Sequence, residues 1–338
     1  MAIVGFHASH EQFSPSHLLA CLKRSEAAGF TAASCSDHFH PWSTQQGESG
    51  FAWSWLGSAL EATQLTLGVV NAPGQRYHPA IIAQGAATLS EMYPGRFWLA
   101  VGSGENLNEH ITGEPWPSKD VRHQRLQESV EVMKRLWSGE TVSHRGTFEV
   151  DEATLYTRPA KPPLVLGAAL TPETSGWLGG WADGLITAGK KHEDLRRVVD
   201  AFRAGGGEGK PMFLQVALSY ASSLDEALTA AHREWRVAGL STGELADLKT
   251  PREFDERSAS VTREAVADRL RISADLNQHL EWLLGDFELG FDAIYLNHVG
   301  RNLVSFIDAF GERVLPVLNV TSNQSAKRTN ERAAANAN

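Results

Sequence analysis

Short apolar runs alternate along most of the chain with longer segments in which apolar residues recur every three or four positions. The short runs have the length and β-branched content of buried strands, and the spacing in the longer segments is typical of helices. The predicted strands are residues 3–7, 30–35, 65–70, 96–101, 164–169, 183–187, 212–220 and 291–297. The predicted helices are residues 15–28, 51–63, 79–92, 119–137, 172–180, 192–204, 223–237, 276–289 and 303–314.

This alternation predicts an α/β fold, a TIM (β/α)8 barrel, because parallel strands joined by helices form one sheet that can close on itself. An open doubly wound sheet is the alternative, but eight units in series without an evident linker favour closure. We predict one barrel domain over residues 1–318. Insertions are expected near residues 141–158, as a β-hairpin, and near residues 238–262. Residues 319–338 have no apolar period and are predicted to form a disordered tail.

The composition narrows the class of protein. The chain of 338 residues is 42% hydrophobic and 21% charged, an ordinary globular balance. Its formal net charge of -9 argues against a nucleic-acid or anionic membrane partner, and no apolar run reaches the roughly 18 residues of a spanning helix. The N-terminus leads directly into a strand-like run, so we expect a cytoplasmic protein. Cys21 and Cys35 fit reduced structural thiols.

The most informative segment is Ser-Asp-His-Phe-His-Pro-Trp at residues 36–42, directly after the second predicted strand. Pro41 lacks a backbone donor and biases His40 away from helix, so the strand has to end here. In an α/β barrel, the carboxyl ends of the strands form the active-site face. A loop whose polar groups only cap the next helix is the alternative interpretation.

Other strand ends contribute titratable and amide side chains to the same edge. His7 and Glu11 follow the first strand, Asn71 the third, and Glu105 and Asn108 the fourth. An imidazole between carboxylates is suited to proton transfer at neutral pH, so this set predicts a proton-transfer or metal site. Consecutive strand residues point to opposite faces. Either the chain leaves β geometry at the Asp37–His38 pair, or another carboxylate orients the histidine.

Three motifs together carry a resemblance to a known family. They are residues 36–42, the segment Gln-Arg-Tyr-His-Pro-Ala-Ile-Ile-Ala-Gln at 75–84, and Gly-Ser-Gly-Glu-Asn-Leu-Asn-Glu at 102–109. In this order they resemble the bacterial-luciferase-like flavin-dependent oxidoreductases. Within that family they are most similar to the branch that contains the coenzyme F-420-dependent glucose-6-phosphate dehydrogenases. The similarity extends from residue 3 to about residue 317.

The resemblance implies a TIM barrel with a flavin-type ring at the carboxyl-end mouth. It implies His38 as the proton-transfer residue, with Glu105, Asp37 and Glu11 as further catalytic residues. The expected cofactor contacts, taken from the resemblance and from strand-end positions, are Asp37, Val69, Val70, Asn71, Asn108, Ala168, Ala169, Thr171, Thr174 and Gly189. The expected substrate-pocket residues are His7, Trp42, Trp53, Lys190 and Arg269. The family often has a cis peptide in the Val69–Asn71 bulge.

The chain departs from the sugar-phosphate dehydrogenases where those enzymes hold the substrate phosphate. Lys190 or Lys191 could match their first lysine, and Arg269 their arginine, but Leu245 and Ala246 stand where they have a Lys-His pair. A dianionic phosphate without those donors would be poorly held. Glucose 6-phosphate is therefore not the substrate we expect.

The turn after the fifth strand also differs. The dehydrogenases have Gly-Gly-Pro, whereas this chain has residues 168–174, in which the Thr171 and Thr174 hydroxyls could hold a phosphate or cap the helix. We take this change to favour FMN over coenzyme F-420, as in an FMN-using subgroup. The predicted function is an FMN-dependent monooxygenase or dehydrogenase acting on a small organic substrate. A separate flavin reductase and a homodimer are the expected partners.

Three other interpretations of the sequence remain open. The alternative within the family is an F-420-dependent dehydrogenase or reductase that transfers hydride from an alcohol or sugar. His38 and His40 form a His-x-His pair, so a metal-dependent barrel hydrolase is a further alternative, with His110, His298 and Asp183 as available ligands. A non-catalytic flavin-binding protein is the third, although the acids and the histidine of the motifs argue against it.

Overall fold

Eight parallel strands form a closed barrel at the centre of the computed structural model, which describes residues 3–189 and 191–318. The strands of the whole structure are β1 (Ile3–Ala8), β2 (Ala32–Ser36), β3 (Thr66–Asn71), β4 (Phe97–Val101), β5 (Val142–Arg145), β6 (Glu149–Ala153), β7 (Leu164–Ala168), β8 (Gly184–Ala188), β9 (Met212–Ser219), β10 (Arg271–Ile272) and β11 (Ala293–His298). Around the barrel the order is β1-β2-β3-β4-β7-β8-β9-β11, and β11 pairs with β1 to close it. The predicted TIM barrel is confirmed.

Helices follow the barrel strands and cover them. They are α1 (Pro15–Ala27), α2 (Ala52–Ala62), α3 (Pro79–Met92), α4 (Asn106–Glu109), α5 (Lys119–Ser138), α6 (Pro172–Gly179), α7 (His192–Phe202), α8 (Leu224–Trp235), α9 (Thr242–Asp247), α10 (Pro251–Ser258), α11 (Arg263–Arg269), α12 (Leu276–Glu288) and α13 (Leu303–Arg313). Proline begins α1, α3 and α6, where its missing N–H would have no partner in any case. Local sequence therefore fixes where these helices start.

Large aromatic side chains fill the amino-terminal half of the barrel interior. The Trp98 ring lies 5.3 Å from that of Phe213 and 5.2 Å from that of Tyr295. Gly68 on the neighbouring strand makes room for Trp98, because a Cβ there would lie 1.9 Å from the indole ring. With its lower half filled, the barrel can open only at the carboxyl ends of its strands.

Both segments that were expected to interrupt the barrel have structure of their own. Residues 141–158 contain the antiparallel pair β5–β6, and residues 238–262 contain α9 and α10. The segment predicted as a disordered tail, 319–338, lies outside the described residues. In the described ranges, none of the helices has the length and apolar character needed to cross a membrane.

Three buried histidines predict that the fold is sensitive to acid. Burial lowers the pKa values of His7, His279 and His298 from 6.5 to about 4. Between these two pH values the unfolded chain binds protons that the folded protein does not, so stability is lost as the pH falls through this window. Each histidine contributes up to about 1.4 kcal/mol per pH unit. Glu109 acts in the opposite direction, because burial raises its pKa to about 7.

Urea-unfolding midpoints at pH 7, 6 and 5 measure this dependence. We expect the midpoint to fall at each step. We also expect His298→Asn to make the fall less steep, because one proton-binding difference is removed. A midpoint that stays constant from pH 7 to pH 5 would contradict the assignment of neutral buried histidines.

A candidate active site at the carboxyl end of the barrel

His38 lies between two carboxylates at the mouth of the barrel. Its Nε2 is 3.5 Å from Glu11 Oε1 and 3.6 Å from Glu105 Oε2. Its Nδ1 is 3.3 Å from the carbonyl oxygen of His40. A carbonyl can only accept, so this contact favours the tautomer with hydrogen on Nδ1. In the neutral ring Nε2 is then a proton acceptor that faces both acids.

Glu11 is the buried anion of this group. Its Oε2 accepts hydrogen bonds from the hydroxyls of Ser36 at 2.5 Å and Ser9 at 3.0 Å. Burial by itself would raise the pKa of Glu11, but the facing His38 and the Ser36 hydroxyl outweigh it, and the pKa is lowered. Glu11 is therefore ionised at neutral pH and places a negative charge opposite His38 Nε2.

The pKa of Glu105 is shifted in the opposite direction. Burial raises its pKa more than the nearby His38 lowers it, although a third of the side chain (33%) stays exposed. Asn108 donates to its Oε2 at 3.2 Å and accepts from the backbone N–H of Phe39 at 2.9 Å, so Asn108 ties Glu105 to the segment that carries His38. Two acids whose pKa values are shifted in opposite directions around one imidazole can play different roles in proton transfer.

Asp37 belongs to a separate network. Its carboxylate accepts from Asn71 Nδ2 at 2.7 Å and from the Tyr77 hydroxyl at 3.0 Å, and lies 3.7 Å from Arg76 Nη2. Strand β2 ends at Ser36, before this residue. The sequence left open which group orients His38. In the structure Glu11 and Glu105 face His38. Asp37 instead binds Asn71 at the end of β3 and Tyr77 in the loop that follows.

Arg76 and Glu109 extend the Asp37 network, and the sequence-based site did not include them. Arg76 Nη2 donates to the Asp37 carbonyl at 2.8 Å, and its backbone N–H donates to Glu109 Oε2 at 2.7 Å. Both side chains are almost fully buried, with 6% and 2% exposed. Their motifs, 75–84 and 102–109, carried the family resemblance, but a buried ion pair between them cannot be seen from spacing along the chain.

Above the aromatic layer, several small residues line the barrel interior. Val70 and Ala168 point inward at strand ends and are partly exposed, Gly102 beside Ala168 has no side chain, and Ala188 is exposed. Val69, named with Val70 as a cofactor contact, instead points outward into the core between sheet and helices. The cis peptide expected in this bulge is absent, since all peptide bonds of the described residues are trans.

Two features at the carboxyl end of the barrel fit a flat ring. Val70, Gly102 and Ala168, at the ends of three neighbouring strands, present no long side chain. Asn71 Oδ1, at the end of β3, is buried and has no hydrogen-bond partner in the described part of the chain, so it can accept from an N–H of a ligand. The residues present therefore fit a flavin-type or deazaflavin ring.

The loops after β7 and β8 carry further residues that were predicted to contact the cofactor. Thr171 is the N-cap of α6, where its hydroxyl accepts from the Thr174 N–H at 3.3 Å, so the capping role that the sequence left open is present. Ala169 is buried in the core behind the sheet, and Gly189 is partly exposed at the end of β8. Lys190 lies outside the described residues.

The predicted substrate-pocket residues do not all gather at the mouth. The Trp42 ring lies 5.0 Å from that of His38, and His7 is buried below with its Nδ1 2.9 Å from Ser34 Oγ. The centre of the Trp53 ring, however, lies 6.1 Å from that of Phe97, in the layer between strands and helices. Its assignment to the pocket is therefore corrected.

Arg269 is exposed on α11. Two residues later Arg271 is buried and forms a double hydrogen bond with Asp286. The sequence could not distinguish these two arginines, because only burial separates them.

An apolar cluster covers one side of the mouth. It consists of Leu107, Val237, Leu240 and Phe254, with Trp42, Leu245 and Leu248 packed against it. The Trp42 and Phe254 rings meet edge to face at 5.4 Å. Leu245, at the position where the sugar-phosphate dehydrogenases have a phosphate ligand, is therefore part of an apolar wall.

The residues considered for a metal site do not all converge on one point. His40 contacts the Leu107 carbonyl at 2.9 Å and stacks on His110, whereas His298 is buried against Asn302. Asp183 pairs with Lys134. No group of three or more His, Cys, Asp or Glu side chains within residues 3–189 and 191–318 is arranged to hold a metal ion.

Comparisons with known proteins agree with this geometry. The family model for luciferase-like monooxygenases matches residues 2–293. An F-420-dependent glucose-6-phosphate dehydrogenase of Beutenbergia cavernae is 32% identical over 335 residues, covering 96% of this chain and 99% of that protein. One from Nakamurella multipartita is 35% identical over 332 residues, covering 95% and 97%.

Among solved structures, an F-420-dependent secondary alcohol dehydrogenase in complex with an F-420–acetone adduct is also similar. It superposes with a TM-score of 0.86 and 31% identity, covering 93% of this chain and 98% of that one. The match of the family model and these full-length similarities show that the chain is an oxidoreductase that belongs to the luciferase-like monooxygenase family.

Proposed function

We propose that the protein is a coenzyme F-420-dependent dehydrogenase that interconverts a small uncharged secondary alcohol and its ketone. The observation that carries the proposal is His38 Nε2, which faces an ionised and a more readily protonated carboxylate at the carboxyl end of the barrel. The similar proteins described above are named as F-420-dependent. FMN, which the turn after β7 favoured, finds no support among them, so F-420 becomes the proposed cofactor.

The apolar wall supports the substrate class. Leu245 packs against the cluster of Leu107 and Phe254, so this side of the mouth offers an aliphatic group a dry surface, and no side chain of the cluster carries a positive charge that could bind a phosphate. Arg269 is exposed on α11, and the buried Arg271 already binds Asp286. A neutral alcohol with short alkyl groups suits these surroundings better than a sugar phosphate does.

The residues divide the proton chemistry between them. When bound in its oxidised form, F-420 would supply the acceptor for the hydride that leaves the carbinol carbon. His38 Nε2 removes the hydroxyl proton of the alcohol, and Glu11 stabilises the imidazolium that results. Trp42 and the apolar cluster orient the alkyl groups and exclude water. Glu105, with its raised pKa, is placed to exchange a proton at the open side of the mouth.

A competitive binding titration tests the cofactor. We expect F-420 to bind with a dissociation constant in the micromolar range or below, and at least tenfold more tightly than FMN, about 1.4 kcal/mol. Fluorescence of each ligand, followed during addition of the protein, measures both constants. Tighter binding of FMN would contradict the proposed cofactor. A homodimer stays a prediction, and a separate flavin reductase would be required only for FMN.

A further inference from the structure

One guanidinium connects three loops around the mouth. Arg301, in the loop after β11, donates from Nη1 to the Gln12 carbonyl at 3.1 Å. Its Nη2 donates to the carbonyls of Gln45 at 3.0 Å and Gln46 at 3.1 Å. Its Nε donates to Glu234 Oε2 at 3.0 Å. Four of the five guanidinium N–H groups are used in this way, and two of the three loops also carry residues that surround His38.

The first of these two loops carries Glu11. Gln12, whose carbonyl Arg301 binds, is the next residue and is fully buried. Its side chain donates to the Val299 carbonyl at 2.9 Å, so it is anchored to the loop after β11 a second time. The hydrogen bonds of Gln12 to Arg301 and Val299 therefore fix the backbone next to Glu11.

The second loop carries Trp42. Gln46 Oε1 accepts from the Trp42 backbone N–H at 2.9 Å, and Gln46 Nε2 donates to the Glu234 carbonyl at 3.1 Å. The Glu234 side chain is fully buried and binds Arg301. Arg301 thus holds Gln46 both directly and through Glu234, and Gln46 holds Trp42 beside His38.

We infer that Arg301 is a positioning residue, which keeps Glu11 and Trp42 in register around His38 without touching the substrate. The inference rests on the proposed function for what Glu11 and Trp42 do, but the geometry of the loops does not depend on it. Lysine cannot replace arginine here, because an ammonium is a point charge and cannot span the carbonyls of two loops and a carboxylate in a plane.

Arg301→Lys is the test, and Arg24→Lys is the matched control. Arg24 makes a double hydrogen bond with Asp308 between α1 and α13 and is similarly exposed, but it is remote from the mouth. With F-420 and a secondary alcohol, we expect Arg301→Lys to lower kcat/KM about tenfold or more, since small displacements of groups around a reacting centre are costly. Arg24→Lys is expected to change it less than twofold.

A double-mutant cycle separates positioning from general destabilisation. If Arg301 acts through Glu11, adding Arg301→Lys to the Glu11→Gln variant should lower kcat/KM by less than a further threefold. The reason is that the side chain positioned by Arg301 has already lost its charge. Effects of the two substitutions that multiply would overturn the inference.

Hydrogen–deuterium exchange provides a readout without turnover. We expect peptides covering residues 9–14 and 40–49 to exchange at least severalfold faster in Arg301→Lys than in the wild-type protein or in Arg24→Lys, because the hydrogen bonds that order these loops are weakened. Unchanged exchange in both peptides would overturn the positioning role. If the wild-type protein turns over no alcohol, the proposed function fails, and the exchange result alone decides the inference.

Discussion

His38→Asn is expected to lower turnover by about 100-fold or more, the lower end of what a positioned general base contributes. Nε2 of this residue is the imidazole nitrogen that faces both Glu11 and Glu105, and an amide cannot take up a proton at that place. Affinity for F-420 should stay within a few-fold, because other side chains form the proposed ring site. Steady-state kinetics and a cofactor titration on the same preparation measure the two effects.

His40→Asn is the matched control for this experiment. It makes the same chemical change two residues away, on a side chain that contacts the Leu107 carbonyl and the His110 ring. We expect its turnover to stay within a few-fold of the wild-type value. If His38→Asn lost the cofactor or unfolded while turnover per bound cofactor was unchanged, His38 would be a structural histidine.

Glu11→Gln should have the second largest effect, a fall in kcat/KM of about 30-fold or more, which corresponds to about 2 kcal/mol. The substitution removes the anion 3.5 Å from the imidazole that becomes charged in the proposed reaction. Because the pKa of Glu11 is lowered, the carboxylate is ionised throughout the neutral range. The loss should therefore be nearly the same at pH 6 and pH 8.

Glu105→Gln is the comparison variant, since it makes the same change 3.6 Å from the same nitrogen. The pKa of Glu105 is raised by burial, so more of this carboxyl is protonated at lower pH. Replacing Glu105 by the neutral amide should then lower kcat/KM less at acid pH and more at alkaline pH. The kcat/KM values of both variants, measured from pH 5.5 to pH 9, test these two expectations. An identical pH dependence would contradict the different roles assigned to Glu11 and Glu105.

The barrel could be predicted because its signal is local. Each strand is a short apolar run and each helix has its own period, and both are visible without knowledge of contacts. The group around His38 was also accessible, because residues at the carboxyl ends of neighbouring parallel strands must come together. Glu11, His38 and Glu105 lie in loops after β1, β2 and β4, and the structure brings both carboxylates within 3.6 Å of His38 Nε2.

What the sequence did not reveal depends on side-chain direction and on long-range pairing. Trp53 was placed at the mouth from its residue type, but its helix turns it toward Phe97 behind the sheet. Arg301 binds groups more than 250 positions away along the chain, and nothing in its neighbourhood marks it. Such contacts are set by how loops meet after the barrel has closed, and no local pattern encodes that.

Transfer of deuterium from propan-2-ol labelled at the carbinol carbon to oxidised F-420, under anaerobic conditions, tests the central claim most directly. We expect the protein to bleach the visible absorbance of F-420 with this alcohol, to place the deuterium in the reduced cofactor and to release acetone. Glucose 6-phosphate should react at least tenfold more slowly. No reduction of F-420 by any short secondary alcohol, together with efficient reduction by glucose 6-phosphate or with oxygen-dependent turnover on FMN, would contradict the account.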